Sequence, residues 1–258
     1  MDTAAIEGLP DVRRIALGDV GSTNTVALDA ARAGDPGNLW VTARRQMSGR
    51  GRRGRPWISE EGNLYASLLL VDPAPQALVG TLPLAAALAV YRALKPLFAN
   101  APQALAIKWP NDILVDGAKI NGILLESEML PGNRLAVVIG CGINIAHSPD
   151  NPAYPATSLA ACGIDTSVEA QFSALARAMS AILVAWNRGA GFAAIREDWL
   201  RAARGIGGPV TVNLHDGAIS GRFEDIDMEG HLCLLTDNGG RRRISAGDLF
   251  FTDRTEPK

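Results

Sequence analysis

The rhythm of apolar and polar positions changes near residue 205. Before it, long helical stretches and short apolar runs of strand length follow one another in no strict alternation. Ser22-Thr23-Asn24 followed by Val26-Ala27-Leu28-Asp29-Ala30-Ala31 predicts a helix with a polar start that stops near Gly34. Residues 39–42 and 63–71 read as strands, and residues 77–98 as a long alanine-rich helix broken near its ends by Pro83 and Pro96. Strands follow over 104–109 and 113–115. The turn dipeptide Asp116-Gly117 joins the second of these to a strand over 119–128. Residues 134–141 form another apolar strand, 147–155 a polar, proline-rich loop, and 167–187 and 192–204 two helices. Gly205-Ile-Gly-Gly-Pro209 reads as a linker. Beyond it come short strands separated by Asp216-Gly217, Glu229-Gly230 and Asn238-Gly239, the pattern of a small all-β barrel. The expected architecture is therefore α+β: residues 1–205 carry a mixed or mainly antiparallel sheet with helices on one face, and residues 206–258 the barrel.

Composition narrows the class. An apolar content of 47% and a net charge of -2 are those of a soluble globular chain. The first residues have no basic head followed by an apolar run, so no secretory leader is expected. The most apolar stretch, residues 82–91, is ten long, about half of what spans a bilayer, so no membrane role is expected. Cys141, Cys162 and Cys233 are far apart and in no metal-ligand spacing. They read as small buried hydrophobes of a reduced cytoplasm. His147, His215 and His231 have no partner at ligand spacing either.

Charge is unevenly spread. Residues 44–55 hold six arginines and no acid, punctuated by Gly49, Gly51 and Gly54. Glycines allow positive φ and close approach of backbone N–H groups, and guanidinium forks fit phosphate or carboxylate oxygens. Such a loop suits a multiply charged small anion, a nucleic acid, or solvent. It is neither a Walker-type phosphate loop nor a dinucleotide-binding glycine motif.

Three further segments carry candidate chemistry. Pro110 in Lys108-Trp-Pro-Asn-Asp112 ends a strand abruptly and leaves Asn111 and Asp112 at its tip; Asp112 could orient a cation, hold magnesium or simply form a turn. Lys119-Ile-Asn-Gly-Ile-Leu-Leu-Glu126 puts Lys119, Asn121, Ile123 and Leu125 on one face by period-two alternation. Its lysine could meet a carboxylate and a phosphate together, or protect a sheet edge. Gly140-Cys-Gly-Ile-Asn144 offers close backbone approach and an amide, or an unremarkable strand end. Only four lysines occur in the chain, and two of them, Lys108 and Lys119, fall in these motifs.

In this order the motifs resemble the biotin–protein ligase family: Gly21-Ser-Thr-Asn24, GRGRRGR-x-W, KWPND, K-x-x-GILLE, G-x-GIN and Ala156-Thr-Ser-Leu159. The resemblance covers roughly residues 14–204, and the tail is similar to the family's small SH3-like C-terminal domain. It implies two steps: biotin and ATP give biotinyl-5′-AMP, then a lysine of a biotin carboxyl carrier protein (of acetyl-CoA carboxylase) attacks the mixed anhydride. By the same resemblance Ser22, Thr23, Asn24, Gln46, Arg50, Gly51 and Arg52 contact biotin or the adenylate. Lys119, with Arg52, serves catalysis by bridging the biotin carboxylate and the α-phosphate. Trp57, Asn111 and Asn144 serve the nucleotide, and Asp112 holds Mg2+. Trp57 would anchor the far end of the arginine loop, which would act as a lid ordered by ligand and disordered without it. Residues 241–248 match the family's end pattern only loosely and receive no contact. The chain shows no winged helix-turn-helix of the kind some bacterial members carry, which implies a ligase without repressor activity. A monomer and a homodimer are equally compatible with the sequence.

Two rivals remain. A lipoate or octanoate ligase or transferase on the same fold would show a different glycine-rich signature and, for a transferase, a cysteine nucleophile; neither is evident. A nucleic-acid-binding module would spread basic charge beyond one loop and interleave it with aromatics.

Overall fold

The computed structural model describes residues 3–149 and 154–252. Its first half is organised by a six-stranded sheet. β1 (Ala4–Ile6), β2 (Leu9–Val20), β3 (Leu39–Gln46) and β4 (Leu64–Val71) are followed across the sheet by β9 (Arg134–Ile143) and then β8 (Asn121–Leu130). β2 and β3 run parallel and every other pair is antiparallel, so the sheet is mixed. The parallel pair needs a crossover, and α1 (Thr23–Arg32) supplies it.

Side-chain alternation divides the core in two. Leu39 and Val41 of β3, Leu69 of β4 and Val138 of β9 pack with Ala27 and Ala31 of α1. Trp40, Leu68 and Val137 point the other way, to the larger core. That face is covered by α3 (Leu82–Leu94), α4 (Val168–Trp186) and α5 (Phe192–Ala202). The helices thus gather on one face as expected, with the addition that α1 lies alone on the opposite one. Being short, α1 leaves part of its face open beside its N-terminus, and the site occupies that gap.

Several predicted elements change on folding. The helix expected over 77–98 is α2 (Gln76–Val79), α3 and a short 3-10 turn at Lys95–Phe98. Pro83 lies in the first turn of α3, where a missing N–H costs nothing, and the Thr81 hydroxyl donates back to Leu78 O at 2.8 Å to close the preceding turn. The longest apolar helix is α4 rather than the 82–91 stretch. By length and composition α4 would cross a membrane, but its Phe172, Leu175, Met179, Ile182 and Trp186 are buried against the protein's own core. Ser167 caps it, accepting from Ala170 N at 3.1 Å. Of the cysteines only Cys141 is buried; Cys162 and Cys233 are partly exposed, and all three are free thiols.

The hairpin at Asp116-Gly117 is also shorter than its turn signal suggests. β5 (Leu105–Lys108), β6 (Asp112–Val115) and β7 (Ala118–Lys119) form a separate three-stranded sheet. After Ile120 the chain leaves it and enters the main sheet as β8. This jump resets the alternation: Lys119 faces the site with Gly122 and Leu124, while Asn121 is buried and accepts from Ile113 N at 2.8 Å. The C-terminal part is a five-stranded antiparallel sheet in the order β13 (Arg241–Ile244), β12 (Leu232–Thr236), β11 (Ala218–Ile226), β10 (Pro209–Asn213) and β14 (Asp248–Phe251). It is tied to the first part by the Arg196 guanidinium, which reaches Ile226 O and Asp225.

Candidate active site

A cavity of about 490 Å³ opens between the N-terminus of α1, the β8–β9 edge, the three-stranded sheet and β14. One end is neutral and polar. Ser22, Thr23 and Asn24 are buried at the start of α1. Gln46, where β3 ends, accepts from Thr23 N at 2.9 Å and donates to Ser59 Oγ at 3.0 Å. The fully buried Ser67 of β4 lies 2.7 Å from Thr23 Oγ1 and 2.6 Å from Asn24 Oδ1. Asn24 Nδ2 donates to Glu126 at 2.8 Å.

The glycines of the β8–β9 pair admit side chains to this floor. A Cβ on Gly140 would fall 2.2 Å from Asn24 Oδ1. Cβ atoms on Gly122 and Gly142, cross-strand partners, would fall 2.8 and 2.7 Å from Trp57 atoms. Trp57 therefore lies flat on bare backbone at the cavity wall. Close backbone approach was expected of Gly140 and Gly142 toward a ligand; their more immediate role is to seat Asn24 and Trp57.

The middle of the cavity is cationic around Asp112. The β5–β6 register sets Lys108 opposite Asp112, and Leu114–Lys119 pairing brings in the second lysine. Lys119 Nζ lies 2.6 Å and Lys108 Nζ 3.6 Å from the Asp112 carboxylate. Lys108 sits 5.2 Å from the Tyr154 ring centroid and 5.7 Å from that of Phe250. Burial among these groups lowers its pKa below the ordinary lysine value, and the attraction of Asp112 recovers only part of the loss. Lys119 is fixed from behind through its backbone, donating to Pro155 O at 2.7 Å and accepting from Thr157 N at 2.9 Å.

The arginine loop forms the lid side. It is a folded hairpin, with Arg50 bridged to Pro56 and one 3-10 turn at Arg52–Gly54. Of its glycines only Gly54 has positive φ, at 70°, next to Arg53 at 57°. Gly49 is needed for space, since its Cβ would lie 2.4 Å from Trp57 O. Arg52, Arg53 and Arg55 converge on Asp248 at 2.6, 3.2 and 2.6 Å. Burial alone would raise the Asp248 pKa, but the Arg55 hydrogen bond and the three arginine charges outweigh it and hold the carboxyl below its ordinary value. A carboxylate of β14 thus gathers three arginines of the loop.

Ser22, Thr23, Asn24, Gln46, Arg50, Gly51, Arg52, Trp57, Asp112, Lys119 and Asn144 all line the cavity. Asn111 does not. It is buried behind the wall, where its Oδ1 accepts from Arg52 at 3.2 Å, so it steadies an arginine instead of touching the cavity. Asn144 is anchored by Nδ2 donating to Thr157 O at 3.0 Å. Asp248 and Tyr154 were missed. Asp248 is the last residue of the loosely matching 241–248 segment, and no periodicity marks it as a partner of arginines almost two hundred residues away. Among the described residues no group of three or more His, Cys, Asp or Glu is arranged to hold a metal ion. The thiol of Cys141, on the same strand as Gly140 and Gly142, is pushed up to about 12 by burial.

A family model described as the biotin/lipoate A/B protein ligase family matches residues 19–144, and one described as the biotin protein ligase C terminal domain matches residues 205–252. A biotin–[acetyl-CoA-carboxylase] ligase of Paracoccus denitrificans is 39% identical over 240 residues, covering 89% of this chain and 97% of that protein. One of Mycobacterium tuberculosis is 36% identical, covering 90% and 86%. Among solved structures, a biotin protein ligase from Aquifex aeolicus in complex with biotin and ATP superposes with a TM-score of 0.78 at 27% identity, covering 93% of this chain and 99% of that one.

Proposed function

The chain belongs to the biotin/lipoate protein ligase family and is a biotin–protein ligase that uses biotin and ATP; from that premise we propose how its side chains divide the work. The neutral end, Ser22, Thr23, Asn24 and Gln46, takes the ureido head of biotin. The chain of biotin runs toward Lys119, and the carboxylate meets the α-phosphate of ATP there. A carboxylate oxygen attacks the α-phosphorus, the bond to the bridging oxygen of the leaving group breaks, and pyrophosphate departs. A lysine amine of the biotin carboxyl carrier protein then attacks the acyl carbon and releases AMP.

The observation that carries this reading is the cationic cluster around Asp112, set between a neutral hydrogen-bonding pocket and a loop of arginines. Two anions repel until their charge is cancelled. Lys119 is held rigidly enough to do that without reorganisation, and its effect grows where water is excluded. Lys108 adds a second charge, and Arg50 and Arg52 face the phosphates. Trp57 and Asn144 flank the nucleotide, with Trp57 and the loop shielding the reactive anhydride from water. Magnesium binds typically through one or two carboxylates plus substrate phosphates. Asp112, whose charge the lysines already share, fits an ion that arrives with ATP better than a resident one. That ion would neutralise charge on the departing pyrophosphate. The division at residue 205, with the second part supplying Asp248 to the loop, belongs to the same proposal, as does a cytoplasmic setting.

A cysteine-based acyl transferase is disfavoured by the high pKa and full burial of Cys141. Calorimetric titration with biotin, lipoate and duplex DNA tests the reading. Biotin alone should bind in the absence of nucleotide, and lipoate binding without biotin binding would overturn it.

A further inference from the structure

The hydrogen bonds at the neutral end have a direction, and a residue outside the cavity wall sets it. Asn24 Nδ2 faces two groups that can only accept: the Glu126 carboxylate at 2.8 Å and Leu124 O at 3.4 Å. An Asn24 amide turned the other way would press Oδ1 against both of these oxygens. The amide nitrogen is therefore fixed toward β8 and Oδ1 toward Ser67, whose hydroxyl lies 2.6 Å away. Ser67 Oγ also lies 2.7 Å from Thr23 Oγ1, whose own hydroxyl donates to Gln46 Oε1 at 3.0 Å, so protons are donated from Ser67 to Asn24 and from Asn24 to Glu126. With both amide hydrogens consumed, what Asn24 offers above Gly140 is a remaining lone pair of Oδ1. Thr23 Oγ1, its proton committed to Gln46 Oε1, is likewise left as an acceptor.

We propose that Glu126 is a specificity-determining positioning residue: acting through Asn24 and Ser67, it makes the head-group end of the cavity an acceptor for N–H donors. A cyclic urea, with its N–H groups, fits that polarity; a ring in which oxygen replaces an N–H brings lone pair against lone pair. Glu126 itself lines no part of the cavity. Its second oxygen lies 3.5 Å from Arg50, which also donates to Thr25 Oγ1 at 3.2 Å, so the same carboxylate touches the arginine loop. The inference rests on the reading of this end as the biotin head-group site.

The test compares kcat/KM for biotin with that for a carbamate analogue in which one ureido N–H is replaced by ring oxygen, using the full chain. The wild type should prefer biotin by about 100-fold, as expected of a site built around a specific hydrogen bond. Glu126→Gln keeps the shape but lets Asn24 take either orientation, because a glutamine amide can donate to the turned Oδ1. Its preference should fall to about 10-fold, the loss residing in KM for biotin and not in kcat. Ser67→Ala breaks the chain without touching Arg50. With Glu126 and Leu124 O still orienting Asn24, it should keep most of the preference and leave KM for ATP unchanged, whereas Glu126→Gln should lower the one and raise the other. Should Glu126→Gln fold poorly by thermal melt, Glu126→Ala, which leaves only the long Leu124 contact to orient Asn24, carries the same ratio. An unchanged preference in a folded Glu126 variant that still binds biotin overturns the inference. Failure of the wild type to bind biotin by calorimetry would instead sink the functional reading, and this inference with it.

Discussion

Asp112 and Asp248 do related electrostatic work on very different backbones. Asp112 gathers two lysines, Lys119 at 2.6 Å and Lys108 at 3.6 Å, all borne by one small antiparallel sheet. Asp248 gathers three arginines, all borne by one glycine-punctuated loop and reached from a different part of the chain. In the first cluster the side chains are between 13 and 27% exposed and Lys119 is pinned through its backbone, so the charge is held in place. In the second the arginines are between 28 and 47% exposed, so the charge can be handed from carboxylate to phosphate. Fixed charge suits the bond-making centre; transferable charge suits a lid.

Breaking the fixed cluster should cost most. Lys119→Ala should lower biotinyl-AMP synthesis by ~100-fold or more, the scale for loss of a preorganised charge. Near-normal adenylate formation in a pyrophosphate-release assay would remove Lys119 from the mechanism. Next comes the floor of the neutral end. Gly140→Ala pushes a methyl into Asn24 and should raise KM for biotin at least about 10-fold, with a smaller change in KM for ATP. Equal changes in both would mean a general distortion.

Asp248→Asn probes the transferable cluster. The arginines are partly exposed, so screening limits the stability loss to about 1 kcal/mol. The sharper signature is in pH. The carboxyl is held below its ordinary value of 3.8 in the folded chain, so its contribution is complete above that value and lost as pH falls through the lowered one. The wild type should therefore lose thermal stability on acidification by an amount that Asp248→Asn does not show; superimposable acid limbs would mean the cluster is unformed in solution. Smallest of all, Arg53→Ala removes the longest of the three contacts from a half-exposed side chain. It should change stability by less than about 0.5 kcal/mol. A large effect would make the loop as fixed as the sheet, and erase the contrast.

How much of this the sequence disclosed follows the same divide. The motifs on strands and at the α1 start name nearly the whole cavity wall, because each functional side chain sits beside its own local signal: a polar cap, a proline, a glycine pair. What escaped is whatever depends on a partner remote in sequence. Asp248 gains meaning only when β14 packs beside the loop. The facing of Lys119 was misread because alternation was carried through Ile120, where the chain changes sheets. Asn111, adjacent to Asp112 in a recognisable motif, turned inward to hold Arg52. The proline breaks in the 77–98 helix were visible, but not that they would produce three separate pieces.

The seat of Trp57 on Gly122 and Gly142 has an optical consequence. The chain has five tryptophans, and the other four, Trp40, Trp109, Trp186 and Trp199, are buried in the core. Trp40, Trp186 and Trp199 border no part of the cavity, so their emission reports an environment that stays constant while the protein is folded. Trp109 borders the cavity while buried, and Trp57 borders it partly exposed, with an indole N–H that has no acceptor among the described residues. Any change in the protein's fluorescence on filling the cavity should come from these two rings, and its larger part should vanish in Trp57→Phe, giving the ligase a dye it was born with.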